Sequence, residues 1–464
     1  MVFSSLLFLG IFLPTVLVLY NLNKNINYKN VILVIASLVF YAWGEPKLVL
    51  LLIATAFVGY LSGILIDKCG DNKPKKRAVL IGALVICLGS LGLFKYSGFF
   101  VSNVNHLFGT DFSFRGFALP LGISFYTFQI LSYVIDMYRG EVHVQKSYLK
   151  FLTYVSMFPQ LVAGPIVRYI DIEKQIDERT VTPQKFSDGV LRFCQGLLKK
   201  VVLANSAGQV ADTLLGSNLS EASALTAWLG IIMYTFQIYF DFSGYSDLAI
   251  GMGKFFGFDF MENFNYPYIS SSITEFWRRW HISLSTFFRD YVYIPLGGNR
   301  KHQILNIFIV WMLTGLWHGA SWNFVLWGTF YGLLLIIEKK AFGGAILKLP
   351  KIIGHIYTLI VVVFGWALFY FTDFGKLKSF FVCAFGGGGS FADYIAMSTL
   401  VSNIWLIALL ALCSTPLLKI VFKKLAGIKG AGVFVPALTV IFAMAVCFAL
   451  LVGQSYNAFL YFRF

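Results

Sequence analysis

Long apolar segments recur along the chain from its first residues to about residue 453, and they limit the possible folds more than any other feature. Of the 464 residues, 58% are hydrophobic and only 13% are charged, whereas a soluble domain carries about 25% charged residues. The apolar segments lack the period-2 alternation of outer-membrane barrel strands. The sequence therefore predicts an all-α polytopic integral membrane protein.

A helix that spans a bilayer needs about 20 apolar residues, and many segments approach that length. Some are short or adjoin one another, so we expect about ten to twelve spans together with re-entrant and interfacial helices. We see no internal repeat and no soluble insertion, so 1–464 is predicted to form a single membrane-embedded domain. The candidate segments lie near 2–20, 31–43, 47–66, 78–101, 117–138, 150–167, 189–211, 224–253, 303–318, 320–338, 353–371, 400–422 and 432–453.

The formal net charge of +15 comes from Lys and Arg residues that cluster in short loops between apolar segments. This distribution is typical of polytopic proteins, whose basic loops stay in the cytoplasm. The loop 67–77 is the strongest example and predicts an N-terminus on the outer side. We therefore expect membrane lipid, and no nucleic acid, around this chain.

Polar residues at membrane depth are costly and mark places where chemistry can occur. The apolar stretch 228–253 carries Asp241, Tyr245 and Asp247, and Ser243–Gly244 predicts a kink or an unwound turn. Two interpretations stay open for the carboxylates. They line a substrate cavity, or they are structural and pair with Arg or with helix ends.

Two histidines lie in distinctive surroundings. His281 falls on the apolar stripe of a predicted amphipathic helix within 275–298, where it is either a hydrogen-bonded core residue or a functional group. His318 is flanked by small residues, Gly315, Gly319 and Ala320, which allow a ligand to approach closely. A neutral imidazole in such a place can act as a general base.

Common catalytic motifs are absent from the sequence. There is no H-E-x-x-H, no G-x-S-x-G and no Walker A motif, which argues against a metalloprotease, an α/β-hydrolase and a P-loop ATPase. The six cysteines are scattered without metal-binding spacing. We therefore expect no metal site and no permanently bound cofactor.

Together these regions resemble the membrane-bound O-acyltransferase (MBOAT) family, in its bacterial alginate O-acetyltransferase-like branch. The resemblance extends from the N-terminal region to the last residue. The segments that carry it are 119–129, 158–166, 241–247, 264–268, 276–285, 293–298, 313–319 and 459–464.

The resemblance implies a multi-helix membrane fold around a central tunnel. His318 matches the principal histidine of the family and His281 its second functional position, so both are predicted to be catalytic. The implied acyl donor is cytoplasmic acetyl-CoA, which is a substrate and not a bound cofactor. The residues predicted to bind substrate or line the tunnel are Trp317, Trp280, Arg278, Arg279, Ser283, Asp241, Tyr245, Asp247 and Gln129.

The leading functional expectation is an O-acyltransferase of the bacterial inner membrane that O-acetylates a cell-surface or exported polysaccharide, such as alginate, cellulose or peptidoglycan. It acts directly or through an extracytoplasmic SGNH-type acetyltransferase, beside other polysaccharide-secretion proteins. The alternative within the family is D-alanyl transfer to teichoic acid from a carrier-protein thioester. A transporter or flippase that uses Asp241 and Asp247 is the alternative from another class.

Overall fold

The computed structural model describes residues 1–114, 116–162, 164–340, 350–428, 430–453 and 456. Every regular element in these ranges is a helix, so the prediction of an all-α protein is confirmed. The C-terminal segment 459–464, which contributes to the family resemblance, lies outside the described residues.

Five helices of the described ranges are long and apolar enough to cross a membrane. Two further helices, Tyr394–Ser402 and Ile404–Cys413, meet these criteria together but are bent by 58° at their junction. The chain is thus a multi-pass membrane protein, while the total of ten to twelve spans stays a prediction. The five helices are Ile26–Gly44, Val49–Lys68, Lys73–Phe108, Lys351–Tyr370 and Ala431–Gly453.

The chain folds into two compact units. The first unit comprises residues 1–193 and 246–261. In this unit Tyr20 Oη donates a hydrogen bond of 2.6 Å to the carbonyl of Phe256, which ties the N-terminal region to the returning segment. Its elements are Phe8–Phe12, Leu13–Asn21, Ile26–Gly44, Val49–Lys68, Lys73–Phe108, Ile123–Arg139, Tyr148–Ser156, Phe158–Leu161, Tyr169–Asp177 and most of Pro183–Leu198.

The second unit comprises 194–245 and 262–464 and contains both histidines of interest. Its interior is rich in large aromatic side chains, including the fully buried Trp327, Trp366 and Tyr331. Its elements are Lys199–Ala204, Asn205–Leu215, most of Ala224–Phe255, Pro267–Ile269, Ile273–Arg279, Ile282–Phe288, Arg289–Tyr293, Gln303–His318, Trp322–Lys340, Lys351–Tyr370, Phe374–Ala384, Tyr394–Ser402, Ile404–Cys413, Leu417–Ala426 and Ala431–Gly453.

The predicted unwound turn at Ser243–Gly244 is wrong, because the helix Ala224–Phe255 continues through both residues. Gly244 serves close packing instead. A Cβ at this position would lie 3.0 Å from the carbonyl oxygen of Gly196 and 3.1 Å from the amide of Lys200. The missing side chain therefore lets two helix backbones approach each other.

The prediction of one amphipathic helix within 275–298 is also wrong. The structure has two short helices, Ile273–Arg279 and Ile282–Phe288, which are separated at Trp280 and His281. Trp280 is extended and His281 has a left-handed backbone with φ of 45°. The apolar periodicity continues across this break because side chains on both sides of it are buried.

The candidate span 150–167 is likewise interrupted. It forms the helices Tyr148–Ser156 and Phe158–Leu161, so it does not run through as one helix. The amide of Phe158 donates to Ser37 Oγ at 3.0 Å, outside the helical pattern. Pro159, which follows, has no N–H to continue a helical ladder.

Candidate active site

The second unit contains a cavity of about 280 Å³ that both His281 and His318 line. The two residues are 37 positions apart in sequence, and the structure brings them to the same space. Most of the other lining side chains are apolar or aromatic, and three carry positive charge: Arg278, Arg289 and Lys339. A concave, largely apolar site with a few polar groups is the usual form of a small-molecule site.

His318 is the last residue of the helix Gln303–His318, and the following Gly319 is extended. This helix packs closely against Trp322–Lys340, because Gly315 lies where a Cβ would come within 3.2 Å of the Cα of Gly328. The tight hairpin fixes where the helix ends and thus where the imidazole of His318 lies.

Aromatic rings hold the imidazole of His318 edge-on. Its ring centroid lies 4.9 Å from that of Trp317, 5.1 Å from that of Trp327 and 5.2 Å from that of Phe369. Such tilted and edge-to-face contacts favour one ring orientation. The half-buried side chain is therefore oriented while it stays in contact with the cavity.

His281 occupies the break between the two short helices, with φ of 45° and ψ of 54°. A left-handed backbone at a residue other than glycine is uncommon and costs energy, and such residues cluster at functional sites. The side chain is only 1% exposed. Burial lowers the pKa of the imidazole to about 3, so His281 is neutral at physiological pH.

The helix that precedes His281 is fixed at its N-terminus by two carboxylates. Glu338 accepts hydrogen bonds from the amides of Ile273 and Thr274 at 2.7 and 2.9 Å. Ser272 accepts from the amide of Glu275 at 3.0 Å, and Glu275 in turn binds the Ser271 amide. Such contacts satisfy the free N–H groups of a helix start and hold Ile273–Arg279 in place.

The positive charges at the cavity are not all neutralised by nearby carboxylates. Arg289 forms an ion pair with Asp290 at 2.7 Å. Arg278 is exposed and has no ion pair among the residues that the structure describes. Burial, followed by the charges of Lys340 and Arg278, lowers the pKa of Lys339. Burial disfavours a charge of either sign, but the effect of Lys340 and Arg278 on Lys339 marks a locally positive region, and such a region attracts an anion.

Comparison with known proteins identifies the family. Residues 141–375 match the membrane-bound O-acyltransferase family, MBOAT. The chain is also 45% identical over 377 residues to the probable alginate O-acetylase AlgI of Pseudomonas aeruginosa, which covers 80% of this chain and 72% of that protein. The chain belongs to the MBOAT family. It is an O-acyltransferase of the alginate O-acetylase-like branch.

Two other relatives of this O-acyltransferase are named for different activities. The peptidoglycan O-acetyltransferase of Helicobacter pylori is 34% identical over 407 residues, with 80% of this chain and 77% of that protein covered. The teichoic acid D-alanyltransferase of Bacillus subtilis is 31% identical over 232 residues, with 46% of this chain and 58% of that protein covered. The family resemblance seen in the sequence is thereby confirmed.

Some of the residues predicted to form the site of the MBOAT protein surround the cavity without lining it. Trp317 lies beside both histidines, with its ring 5.7 Å from that of His281. Ser283 Oγ lies 3.5 Å from His281 Nδ1, and Trp280 packs on Trp366 at 4.7 Å. Arg279 differs from the neighbouring Arg278, because Glu275 and the carbonyl of Asn265 hold its guanidinium.

The carboxylates of the long helix form ion pairs. Within the second unit Asp241 binds Lys200 at 2.7 Å, and Lys200 Nζ lies 5.7 Å from the ring centre of Tyr245. Within the first unit Asp247 binds Arg192 at 2.7 Å, and Gln129 is buried on the helix Ile123–Arg139. These contacts match the structural interpretation of both carboxylates, and the predicted substrate roles of all four residues stay predictions.

Sequence reasoning missed Asn263, Glu338, Lys339 and Arg289. Lys339 and Lys340 form a basic pair in the sequence at the end of an apolar segment. Such a pair cannot be distinguished, from the sequence, from the charges that anchor helix ends. Asn263 is 18 positions before its partner His281, and only the folded loop brings them together. No signal in a single sequence marks such a contact.

Proposed function

We propose that this O-acyltransferase transfers an acetyl group from cytoplasmic acetyl-CoA to a hydroxyl of a cell-surface or exported polysaccharide. The observation that carries the proposal is one cavity that combines two imidazoles with uncompensated positive charge. Relatives named as alginate and peptidoglycan O-acetyltransferases, each covered over more than two thirds of its length, support the acetyl group and the polysaccharide class.

The chemistry needs a base and an oriented thioester. The hydroxyl oxygen attacks the thioester carbonyl carbon, and the neutral imidazole of His318 takes the hydroxyl proton. When the tetrahedral intermediate collapses, the carbon–sulfur bond breaks, and the same imidazole returns the proton to the leaving thiolate. The products are the acetyl ester and free CoA, so atoms and charges balance.

The cationic residues of the cavity bind the acyl donor. Acetyl-CoA carries phosphate groups, and Arg and Lys bind phosphate through charge-assisted hydrogen bonds. Arg278 and Lys339 fit this task because both line the cavity and neither pairs with a carboxylate among the described residues. This arrangement supports acetyl-CoA over an uncharged donor.

The location and the partner follow from the same proposal. The donor is made in the cytoplasm and the acceptor lies outside, so the enzyme belongs in the bacterial inner membrane. Transfer through a protein cavity avoids moving the anionic CoA through lipid, which is costly. The acetyl group reaches the glycan directly or through an extracytoplasmic SGNH-type acetyltransferase.

D-alanyl transfer from a carrier-protein thioester is the second candidate, favoured only by the partial match to the teichoic acid D-alanyltransferase. The two functions differ in a measurable product. Cells that lack this chain should lose base-labile acetate from their surface polysaccharide and keep ester-linked D-alanine, and re-expression should restore the acetate. Loss of D-alanine with unchanged acetate would contradict acetyl transfer.

The phosphate role of the cations gives a kinetic prediction. Arg278→Ala and Lys339→Ala should each raise the KM for acetyl-CoA about 10- to 100-fold, since a charge-assisted hydrogen bond contributes about 1.5–3 kcal/mol. Acetyl-pantetheine, which lacks the phosphates, should show no such difference between wild type and variants. Lys340→Ala removes an equal charge one residue from Lys339 and is the matched control. Equal KM values for all variants would refute the phosphate contact.

A further inference from the structure

Asn263 is buried at 1% exposure and contacts His281 directly. Its Oδ1 lies 3.1 Å from Nδ1 of the imidazole, 3.2 Å from the amide nitrogen of Ser283 and 2.9 Å from Ser283 Oγ. Its backbone takes part as well, because its carbonyl accepts from the amide of Ile282 at 3.0 Å. One asparagine thus binds both the ring of His281 and the start of the next helix.

These contacts decide which nitrogen of His281 carries the proton. The amide of Ser283 is an obligatory donor, so the Asn263 atom that faces it is the carbonyl oxygen and not the NH₂ group. An oxygen that already accepts hydrogen bonds cannot face an unprotonated nitrogen at 3.1 Å without repulsion. Nδ1 of His281 therefore carries the hydrogen and donates it to Asn263, and in the neutral ring Nε2 is left unprotonated.

The other nitrogen of the ring has no partner inside the protein. His281 Nε2 is fully buried and has no hydrogen bond to any residue that the structure describes. Its ring neighbours are apolar, with Phe242 at 4.6 Å and Trp317 at 5.7 Å between ring centres. Because His281 lines the cavity, a bound molecule is the natural partner for this lone pair. A buried polar atom without one costs free energy.

We propose that Asn263 is a positioning residue that keeps His281 in its Nδ1–H form and so presents Nε2 as a fixed hydrogen-bond acceptor for an O–H or N–H group of the substrate. The inference rests on the proposed function only for the identity of that substrate. The left-handed backbone of His281 agrees with it, since Asn263 accepts hydrogen bonds from the amides of Ile282 and Ser283 directly after this residue and so holds its uncommon conformation in place.

The two imidazoles then have different tasks. The strongly buried His281 is a weak base and accepts a hydrogen bond, whereas the half-buried His318 takes the proton. The substrate group that donates to Nε2 is either the attacking hydroxyl or an amide N–H of the pantetheine arm. A higher KM for acetyl-CoA in a position-263 variant assigns the amide, and a lower kcat at unchanged KM assigns the hydroxyl.

The test uses full-length protein in nanodiscs with ¹⁵N-labelled histidine, compared with His281→Gln to assign the signal. Wild type should give an unprotonated-type ¹⁵N shift for Nε2 of His281 and a protonated-type shift for Nδ1. In Asn263→Leu the shifts of the two nitrogens should exchange or average. In Asn263→Asp, whose carboxylate also accepts from Nδ1–H, the wild-type pattern should persist, with activity restored relative to the leucine variant.

The aspartate variant gives a second readout that a purely structural role would not change. A carboxylate beside the ring stabilises the imidazolium, so the pKa of His281 rises from its wild-type value of about 3. The acceptor form is neutral, and it is lost as the pH falls through the raised pKa. The acid limb of the activity–pH profile should therefore move to higher pH in Asn263→Asp. The other charged or titratable groups that line the cavity, which are common to both proteins, are Arg278, Arg289, Tyr293, His318 and Lys339.

Asn205→Leu is the matched control, because Asn205 is equally buried at 1% exposure and its amide has no partner among the described residues. It should leave the His281 signals unchanged. An unchanged Nε2 signal in Asn263→Leu, or unaltered KM and kcat in that variant, would overturn the positioning role. The NMR result does not depend on which acyl group or acceptor the enzyme uses, so failure of the acetyl-transfer proposal is recognised separately, by wild-type protein that does not consume acetyl-CoA.

Discussion

Replacing His318 by alanine is expected to lower kcat for acetyl transfer by about 10²–10⁴-fold, the usual contribution of a general base. The imidazole is half-buried at the end of its helix and keeps contact with the cavity, so its loss removes the proton acceptor without opening the packed core. His318→Gln should lose as much activity, because glutamine forms hydrogen bonds but does not accept the proton. The measurement is acetyl-CoA turnover by purified protein at equal amounts.

His355→Ala is the control for this prediction. His355 is also a half-buried histidine on a long apolar helix. It binds the carbonyl of Ser270 at 3.0 Å and does not line the cavity that contains His281 and His318. His355→Ala should keep the wild-type turnover of acetyl-CoA. The two His318 variants and His355→Ala should have similar melting temperatures. Normal acetylation by His318→Ala would remove this residue from the mechanism.

The sequence was sufficient to predict the fold class, because a bilayer requires every backbone polar group to be satisfied within the segment that crosses it. The segments near 31–43, 47–66 and 353–371 all correspond to helices of spanning length. Both histidines could be selected because the family resemblance matched them to functional positions. The periodicity of apolar residues does not distinguish a catalytic histidine from a buried structural one. Their presence in one cavity is consistent with that choice, while their individual roles await the kinetic tests.

Backbone conformation was the part that sequence could not supply. Apolar spacing around His281 looks helical because Trp277, Trp280 and Leu284 are all buried, yet periodicity carries no information about φ. The break at His281 is stabilised by Asn263, which lies outside the apolar pattern that produced the prediction. The conflict between local pattern and structure thus falls at a site of proposed chemistry, where such conflicts are expected.

The structural interpretation of the sequence predicted the kind of contact that the two carboxylates make, but it did not identify their partners. The two carboxylates of the long helix were expected to pair with Arg or with helix ends if they are structural, and Asp247 does pair with Arg192. Asp241 pairs with Lys200, which in sequence belongs to a basic pair that resembles a loop signal for membrane orientation. The two ion pairs differ in how far they are buried: the side chain of Lys200 is 0% exposed, whereas that of Arg192 is 24% exposed.

That burial leads to the second large effect, which is on stability. Asp241→Ala should lower the free energy of unfolding by about 3–5 kcal/mol, because it leaves the buried ammonium of Lys200 without its carboxylate partner. Asp259→Ala is the matched control. Asp259 also pairs with a lysine, Lys185, at 2.7 Å, but it is 64% exposed, and exposed pairs contribute about 0–1 kcal/mol.

Thermal unfolding of the purified variants in one detergent measures both values. The double variant Lys200→Met with Asp241→Leu should recover most of the loss, because replacing a buried ion pair with apolar side chains of similar size is often neutral. Recovery would identify the pair as a packing element of the second unit, and the double variant should then still turn over acetyl-CoA. A stable Asp241→Ala protein with no activity would instead assign this carboxylate to the reaction, and the substrate interpretation of the long helix would replace the structural one.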